Sequence, residues 1–325
     1  MILEQINKLI APDIAAVDRI IKECLDSDIR LIQQITEHII SSGGKRLRPM
    51  LVLLSSGALS YQGKSHHNLA AVVELIHTAT LLHDDVVDKS DLRRGHKTAN
   101  AVYGNPGCIL VGDFLYSKGF QLALDIDEKS VMPVMQLLSK ASVLIAEGEV
   151  MQLMNCHNAD IDEETYLQVI CYKTAKLFES SAQVGAVIAG ASSEIEQSMA
   201  EYGRHLGIAF QLVDDVLDYS GAEAETGKHL GDDLAEGKLT LPLIYAIRSG
   251  NKTQSDCIRF AIEEGGYDHF AKVLKVIRET DALTYARSKA KEEVNKAIDT
   301  LSVLPASAYK DSLLELALFA ESRSF

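Results

Sequence analysis

Apolar residues recur at three- and four-residue spacing along most of the chain, the pattern of helices with one buried face. Glycine and proline pairs interrupt the pattern, and no segment alternates apolar and polar residues as a half-buried strand does. Helices are predicted over about 5–28, 29–41, 70–88, 108–124, 131–155, 162–191, 201–219, 243–248, 255–264, 270–301 and 312–321. The pattern predicts an all-α fold, and with no linker or repeat in view it favours one domain over 1–325.

Composition narrows the class of protein. Hydrophobic residues make up 47% of the chain, with only 6 Pro, which is typical of a helix-rich protein with a substantial core. The net charge of −14 argues against a nucleic-acid surface. Five scattered cysteines without a C-x-x-C pair favour reduced thiols in the cytoplasm. Neither a signal peptide nor an apolar run of about 20 residues is visible, so we expect no transmembrane segment.

Three carboxylates stand within five residues in 81–88, which reads L-L-H-D-D-V-V-D. On a helix, Asp84 and Asp88 share one face, while Asp85 lies about 100° round. Such crowding of like charge is stable when a cation is bound, and ligands that are all carboxylates favour a hard ion such as Mg²⁺. Most single acidic clusters of this kind are solvated helix faces, so this motif alone does not favour metal binding.

A second copy of the acidic pattern changes that balance. Residues 210–218 read F-Q-L-V-D-D-V-L-D, which places Asp214, Asp215 and Asp218 in the same apolar surroundings. Two identical triads on apolar helices are poorly explained as solvent-exposed acidic residues without a function. They predict metal binding at both motifs.

Basic residues accompany these acids. Arg93 and Arg94 follow the first motif, and residues 43–49 read G-G-K-R-L-R-P, with glycine backbone beside three cations at a predicted helix start. Such a segment suits phosphate oxygens, although an ordinary solvated loop and simple neutralisation of nearby acids remain open. The adjacent His66 and His67 are expected on a surface loop without a third ligand.

The quoted motifs resemble those of the trans-polyprenyl diphosphate synthases over essentially the whole chain. Both D-D-x-x-D motifs, the Arg pair and 43–49 match, as do the K-T pair Lys173-Thr174, F-Q at 210–211, and G-K and G-D-D-x-x-E-G-K at 227–238. L-L-H-D-D-V-V-D and residues 146–154 look most like the octaprenyl diphosphate synthases that make quinone side chains. One departure is Leu239, where the family usually has proline.

The resemblance implies an isoprenoid synthase-type helical bundle around a deep central cavity, with both aspartate motifs at its mouth. Three Mg²⁺ ions would join the allylic diphosphate to Asp84, Asp88 and Asp214, with Asp85, Asp215 and Asp218 as further or supporting ligands. The allylic diphosphate would be held by Arg93, Lys173, Lys228 and Lys238. Thr174 and Gln211 would stabilise the allylic cation. Isopentenyl diphosphate would be bound by Lys45, Arg48, His77 and Arg94.

Chain length is expected to depend on the residues one turn below the first motif. In short-chain relatives a bulky aromatic tends to block that position, whereas this chain has the small Ala79 and Thr80. Met135 is a candidate for the floor of the tunnel, although a Met at helical spacing is often plain core. The resemblance therefore implies a long product, octaprenyl diphosphate.

Several alternatives stay open at this point. The product could have another length, such as geranylgeranyl or solanesyl diphosphate, or the chain could be a non-catalytic subunit of a heteromeric synthase. A terpene cyclase is disfavoured by the second D-D-x-x-D. Farnesyl diphosphate as primer and a homodimer in the cytoplasm are what the resemblance implies.

Overall fold

The computed structural model describes residues 2–41, 43–220 and 230–322, and these residues are almost entirely helical. This confirms the predicted all-α class. The α-helices are α1 Ile2–Leu9, α2 Ala11–Cys24, α3 Arg30–Ser41, α4 Leu47–Ala58, α5 Ser65–Val87, α6 Ala99–Tyr103, α7 Asn105–Ala123, α8 Glu128–Asn155, α9 Glu163–Ile170, α10 Lys176–Ile188, α11 Ser193–Ser220, α12 Asp232–Ala235, α13 Leu241–Ser249, α14 Lys252–Glu264, α15 Phe270–Glu279, α16 Ala282–Thr300 and α17 Ala308–Ser322.

A short antiparallel hairpin follows α5, although the sequence shows no alternation of apolar and polar residues there. Strand β1, Leu92–Arg93, pairs with β2, His96–Lys97. The two residues that connect them, Arg94 and Gly95, both have positive φ, at 53° and 76°, as in the I′ turns that favour two-residue hairpins. Strands of two residues cannot produce a visible alternation, which is why the sequence pattern missed them.

Three other departures concern helix continuity. The predicted helix over 5–28 is divided at Ile10 into α1 and α2. The predicted helix over 270–301 is broken between α15 and α16, because Asp281 adopts a left-handed φ of 56°. Its carboxylate accepts a hydrogen bond from the Thr284 hydroxyl, in the first turn of α16, at 2.7 Å. The predicted helix over 162–191 contains a π-helical turn, Cys171–Ala175, between α9 and α10. Asp162 caps α9, since its carboxylate accepts a hydrogen bond from the Thr165 backbone N–H at 2.8 Å.

The first of two compact units comprises 1–141, 177–203 and 300–316. Helix α5 is its central element and packs most extensively on α7, then on α4 and α2. Its side chains are buried on several faces, including Leu69, Val72, Ile76, Ala79 and Leu82. The helix that carries the first aspartate motif is therefore held on three sides by packed apolar surface.

The second unit comprises 142–176, 204–299 and 317–325. Its core joins the C-terminal part of α11 to α13, α14, α15 and α16 through buried residues such as Leu212, Val216, Leu241, Ile258 and Ile277. Leu239, which replaces the family's usual proline, is 4% exposed and belongs to this core.

The single domain over 1–325 stays a prediction. Across the described residues, none of the helices has the length and hydropathy to cross a bilayer.

His66 and His67 lie in the first turn of α5, so the loop expected for them is wrong. A third potential ligand also approaches them, which the sequence spacing could not reveal. The Asp13 carboxylate, from the first turn of α2, lies 2.8 Å from His67 Nε2 and 3.5 Å from His66 Nε2.

Candidate active site

The first aspartate motif occupies the C-terminal turn of α5. Asp84 and Asp88 are half-buried, whereas Asp85 is only 2% exposed. Asp88 is the C-terminal cap residue of α5 and keeps a helical conformation, with its N–H bound to the Asp84 carbonyl at 2.8 Å. Asp84 and Asp88 are therefore one helical turn apart, as the spacing predicted, and the structure shows that both are less buried than Asp85.

Arg93 fixes the buried carboxylate of Asp85. Its Nε donates to Oδ1 at 2.9 Å and to Oδ2 at 3.2 Å, while Nη2 donates to Oδ1 at 2.7 Å. Burial alone would lower the pKa of Arg93, but Asp85 and then Asp84 and Asp88 raise it above its usual value. Arg93 was predicted to bind the allylic diphosphate, and the structure gives its guanidinium this additional partner.

The β1–β2 hairpin positions Arg94 beside the glycine pair of 43–49. The backbone of Gly44 lies so close that a Cβ there would meet Arg94 Nη1 at 2.9 Å. Asn100 fastens the start of the hairpin by donating to the carbonyls of Asp85 at 3.0 Å and Ser90 at 3.2 Å. The chain thus brings Arg94 beside Gly44, although the two are 50 positions apart in the sequence and α4 and α5 lie between them.

Arg48 and His77 form a half-buried pair on α4 and α5. Arg48 Nη1 lies 3.0 Å from His77 Nε2, and the guanidinium packs 4.5 Å from the centre of the Phe178 ring. Burial lowers the pKa of Arg48 to about 10, against the opposing effect of Glu74 and Asp84. Burial, followed by Arg48, holds the pKa of His77 well below its usual range. A neutral imidazole therefore accepts a hydrogen bond from a charged guanidinium.

A cavity of about 40 Å³ opens beside these cations. Its polar lining comes from Arg46, Glu74, His77 and Arg94, and apolar residues of α2, α3, α5 and α7 complete it. Sequence reasoning missed Glu74, which burial pushes to a raised pKa while Arg48, Arg46 and Arg94 act against that rise. The sequence did contain a signal for Glu74, because it places a carboxylate three residues before His77 on a helix that is otherwise apolar. Arg46 itself forms an ion pair with Asp18.

The second motif shows the same arrangement on α11. Asp215 is 2% exposed and accepts hydrogen bonds from Tyr166 Oη and, at 2.8 Å, from Gln211 Nε2. Gln211 Oε1 in turn accepts from the Thr174 hydroxyl at 3.0 Å. Burial, then Asp233, raises the pKa of Asp215 well above its usual value, while Tyr166 and Gln211 act in the opposite direction. Tyr166 was not predicted, since nothing in the spacing marks it.

Lys173 and Thr174 lie in the π-helical turn, a feature that is frequent at functional sites. Lys173 Nζ contacts Glu149 Oε1 at 2.7 Å. The Gln152 carbonyl, with its amide oriented to satisfy both amines, accepts from Lys173 at 3.0 Å and from Lys238 at 3.2 Å. Gly148 allows this approach, because a Cβ there would meet the Lys173 backbone nitrogen at 2.5 Å.

The remaining predicted residues are placed as follows. Ala79 is fully buried on α5, while Thr80 and Met135 are half-buried. The Thr80 hydroxyl donates to the His77 carbonyl at 2.8 Å. Lys45 directly precedes the left-handed Arg46 at the start of α4. Gly227 and Lys228 lie outside the described residues.

Both motifs have the donor chemistry that Mg²⁺ requires. Mg²⁺ is held in enzymes by one or two carboxylates, with water and substrate phosphates completing six oxygens. Asp84 and Asp88 offer carboxylates from one helical face of α5, and Asp214 and Asp218 have the same spacing on α11. The buried Asp85 and Asp215 are each held by neighbouring side chains, as residues that support metal ligands are.

A family model described as "Polyprenyl synthetase" matches residues 29–279. The chain belongs to the polyprenyl synthetase family. The aspartate motifs, residues 43–49, the Arg pair and the π-helical turn all fall inside the matched range. Members of this family are transferases, so the chain is an enzyme of that class.

Similar proteins match this polyprenyl synthetase from end to end. It is 48% identical over 324 residues to the octaprenyl diphosphate synthase of Escherichia coli (strain K12), covering 99% of both chains. It is 46% identical to the octaprenyl diphosphate synthase of Haemophilus influenzae, covering 100% of this chain and 98% of that one. A polyprenyl synthase from Caulobacter crescentus CB15, solved with calcium and isoprenyl diphosphate, superposes with a TM-score of 0.94 at 40% identity, covering 99% and 98% of the two chains.

Proposed function

We propose that the protein is a long-chain trans-prenyltransferase that makes octaprenyl diphosphate from an allylic diphosphate and successive isopentenyl diphosphates. The observation that carries this is the pair of D-D-x-x-D motifs, each with a buried second aspartate fixed by neighbouring side chains. The end-to-end similarity to proteins named octaprenyl diphosphate synthase supports the product length. The resemblance implies that the product becomes a quinone side chain.

In this proposal the less buried aspartates hold magnesium. Asp84 and Asp88 in the first motif would hold Mg²⁺ for the diphosphate of the allylic substrate, and so would Asp214 in the second motif, where Asp218 would add a further oxygen. Bound Mg²⁺ supplies charge neutralisation for the departing diphosphate, as metal ions do in other phosphate chemistry. Asp85 and Asp215 act chiefly by orienting their neighbours on the same helix turn.

Lysines share the charge that develops on the leaving group. Lys173 and Lys238 both contact the carbonyl of Gln152, which keeps the two ammonium groups together within one unit. Lys228 is proposed to join them on sequence grounds alone. Arg93 donates to Asp85 through Nε and Nη2, and its Nη1 is the nitrogen that would reach a phosphate oxygen. Charge placed in advance at the leaving group lowers the barrier to C–O cleavage.

Oxygen dipoles then stabilise the allylic cation. The Thr174 hydroxyl and the Gln211 carbonyl already contact each other at 3.0 Å, and the Gln211 amide is fixed by Asp215. Groups held in place beforehand need no reorganisation when charge develops. The new bond forms between the cation and the double bond of isopentenyl diphosphate, and a proton then leaves to the released diphosphate.

Isopentenyl diphosphate is proposed to bind at the 43–49 segment. Lys45, Arg48 and Arg94 provide the positive charge, and the neutral His77 orients Arg48. The guanidinium of Arg48 has little water around it, so its attraction for a phosphate is weakly screened. The small Ala79 and Thr80 allow the growing chain to extend, with Met135 as the proposed floor.

A homodimer in the cytoplasm completes the proposal. Exposed apolar side chains support self-association: Ile109 and Leu110 on α7, and Met132, Val143, Val150, Leu153 and Met154 on α8. Apolar groups at that density are unusual on the surface of a monomer. Analytical ultracentrifugation of the purified chain measures the assembly state.

The test is a product-length assay with purified protein, Mg²⁺, farnesyl diphosphate and labelled isopentenyl diphosphate. We expect a C40 product, and Asp84→Ala and Asp214→Ala each to reduce turnover by orders of magnitude with an unchanged circular dichroism spectrum. Asp268→Ala, an exposed aspartate distant in sequence from both motifs, is the control and should turn over normally. A product of another length would refute the octaprenyl assignment, and no consumption of isopentenyl diphosphate would favour a non-catalytic subunit.

A further inference from the structure

A second group of potential metal ligands lies at the opposite end of α5 from the aspartates. His66 and His67 are in the first turn of this helix, and Asp13 is in the first turn of α2. Among residues 2–41, 43–220 and 230–322, these are the only three His, Cys, Asp or Glu side chains whose ligand atoms all lie within 4.8 Å of one another. None of these three residues belongs to either aspartate motif.

The ligand atoms are spaced as a transition metal needs. Asp13 Oδ1 lies 2.8 Å from His67 Nε2 and 3.5 Å from His66 Nε2. In a tetrahedral site with bonds of about 2.0–2.2 Å, adjacent ligand atoms are separated by about 3.3 Å. These two distances bracket that value, and all three ligand atoms lie within 4.8 Å of one another, so side-chain rotation can place one ion between the three groups.

Packing holds the two imidazoles in this position. The rings of His66 and His67 are 4.0 Å apart between centroids, and the Tyr61 ring packs edge-on against His66 at 5.5 Å. Side-chain exposure is only 14% for His66 and 19% for His67, against 28% for Asp13. Adjacent helical residues ordinarily point about 100° apart, so convergence of both Nε2 atoms on one carboxylate is a specific arrangement.

The charge state of the cluster favours a cation. Asp13 supplies one negative charge to the group, and the whole chain carries −14.

We propose that Asp13, His66 and His67 bind one divalent transition-metal ion, with Zn²⁺ as the favoured species. Two imidazoles and a carboxylate suit Zn²⁺, whereas Mg²⁺ prefers oxygen ligands alone. Water would occupy the fourth position. The site is separate from the magnesium chemistry of the proposed function and does not depend on it.

Binding there would connect two helices of the first unit. Asp13 belongs to α2, and both histidines belong to α5, which carries the first aspartate motif at its other end. An ion that binds only the folded chain stabilises it by an amount that grows with the logarithm of the ion concentration above Kd. The expected role is therefore to stabilise the packing of α2 on α5, with no part in the transfer reaction.

The test is a Zn²⁺ titration of the chelator-treated full chain by calorimetry, with excess Mg²⁺ present to occupy the aspartate motifs. We expect one equivalent to bind and the unfolding temperature to rise with added Zn²⁺. Co²⁺ in place of Zn²⁺ should give the visible absorption of a tetrahedral nitrogen and oxygen site. His67→Ala and Asp13→Asn should each weaken binding by at least about tenfold.

His269→Ala is the matched control, because His269 is also half-buried but belongs to the second unit. It should leave the affinity for Zn²⁺ unchanged. Circular dichroism establishes that each variant is folded. If His67→Ala does not fold, His66→Gln is used in its place. The proposal is overturned if wild-type protein binds no Zn²⁺ under these conditions, or if the Asp13 and histidine variants bind it as tightly as wild type.

Discussion

The guanidinium of Arg93 holds the carboxylate of Asp85 through two nitrogens, with contacts of 2.7–3.2 Å to both carboxylate oxygens. Asp215 occupies the equivalent position in the second motif and is held instead by neutral donors, Tyr166 and Gln211. Each motif thus has one aspartate that is buried and engaged by its own unit. The same sequence pattern is stabilised by a cation in one case and by hydroxyl and amide groups in the other.

Arg93→Met should destabilise the protein strongly, because it leaves the Asp85 carboxylate buried without its cation. Removing one partner of a buried pair costs about 3–5 kcal/mol, which a urea unfolding curve resolves easily. The control is Arg259→Met, which breaks the exposed pair of Arg259 with Asp160, whose side chains are 37% and 81% exposed. That change should cost less than about 1 kcal/mol. Equal losses in the two variants would contradict a structural role for Arg93.

His77 should make stability depend on pH below about 6.5. Its pKa is far lower in the folded chain than in the unfolded chain, so the unfolded state takes up a proton first. Stability is then fully present above the unfolded pKa and falls by about 1.4 kcal/mol per pH unit as the pH drops.

His77→Gln isolates this effect, because glutamine offers Arg48 a carbonyl acceptor and does not titrate. The difference in unfolding free energy between wild type and variant should be constant above pH 7 and should change steadily below pH 6.5, near the ordinary histidine pKa. The comparison is needed because Glu74 has the opposite effect on the free energy of unfolding. Its raised pKa makes stability fall as the pH rises above about 4.5. A pH-independent difference would contradict the neutral state of His77.

Gly148→Ala should disturb the π-helical turn. The added Cβ would meet the backbone of Lys173 at 2.5 Å, and backbone atoms cannot yield as the end of a side chain can. Overpacking of this kind costs about 1–3 kcal/mol. Because Lys173 moves, we expect kcat to fall while the KM for isopentenyl diphosphate, which is assigned to the other unit, stays near wild type.

Gly119→Ala is the comparison for that change. It is also a helical glycine, but the nearest atom to its added Cβ is 3.6 Å away, an ordinary contact. It should be neutral or slightly stabilising, since alanine favours a helix by up to about 1 kcal/mol over glycine. A Gly148→Ala enzyme with normal kcat would show that the close approach has no catalytic consequence.

Ala79→Phe should shorten the product if chain growth proceeds past this part of α5. The side chain is fully buried, so the larger residue also costs about 1–3 kcal/mol of stability by overpacking. Ala286→Phe, at an equally buried position on α16 in the second unit, separates the two effects. Chromatography of the products should show shorter chains only for Ala79→Phe. An unchanged C40 product would refute the proposed tunnel.

The helices could be predicted because each buries an apolar face, which leaves a period in the sequence. The departures come from single residues whose backbone conformation leaves no such trace. Asp281 breaks one predicted helix by adopting a left-handed conformation, and the π-helical turn at Lys173 preserves the period on both sides. The β1–β2 hairpin is too short to show alternation.

The site residues were identified by motif, but their partners were not. Asp85 and Arg93 are eight residues apart, and nothing in that spacing reveals a bidentate contact. Tyr166 and Glu74 carry no motif of their own and became visible only through burial against Asp215 and Arg48. Contacts between distant segments depend on packing, which one sequence without structure does not specify.

Arg94 stands at a position whose backbone would favour a different residue. A left-handed φ of 53° costs a side chain with a Cβ about 1 kcal/mol, and glycine or asparagine would adopt it more readily. A search for thermostabilising substitutions would therefore select Arg94→Gly. On the proposed function, such a variant would resist heat better and bind isopentenyl diphosphate worse, so engineering of this enzyme for stability should leave the hairpin turn untouched.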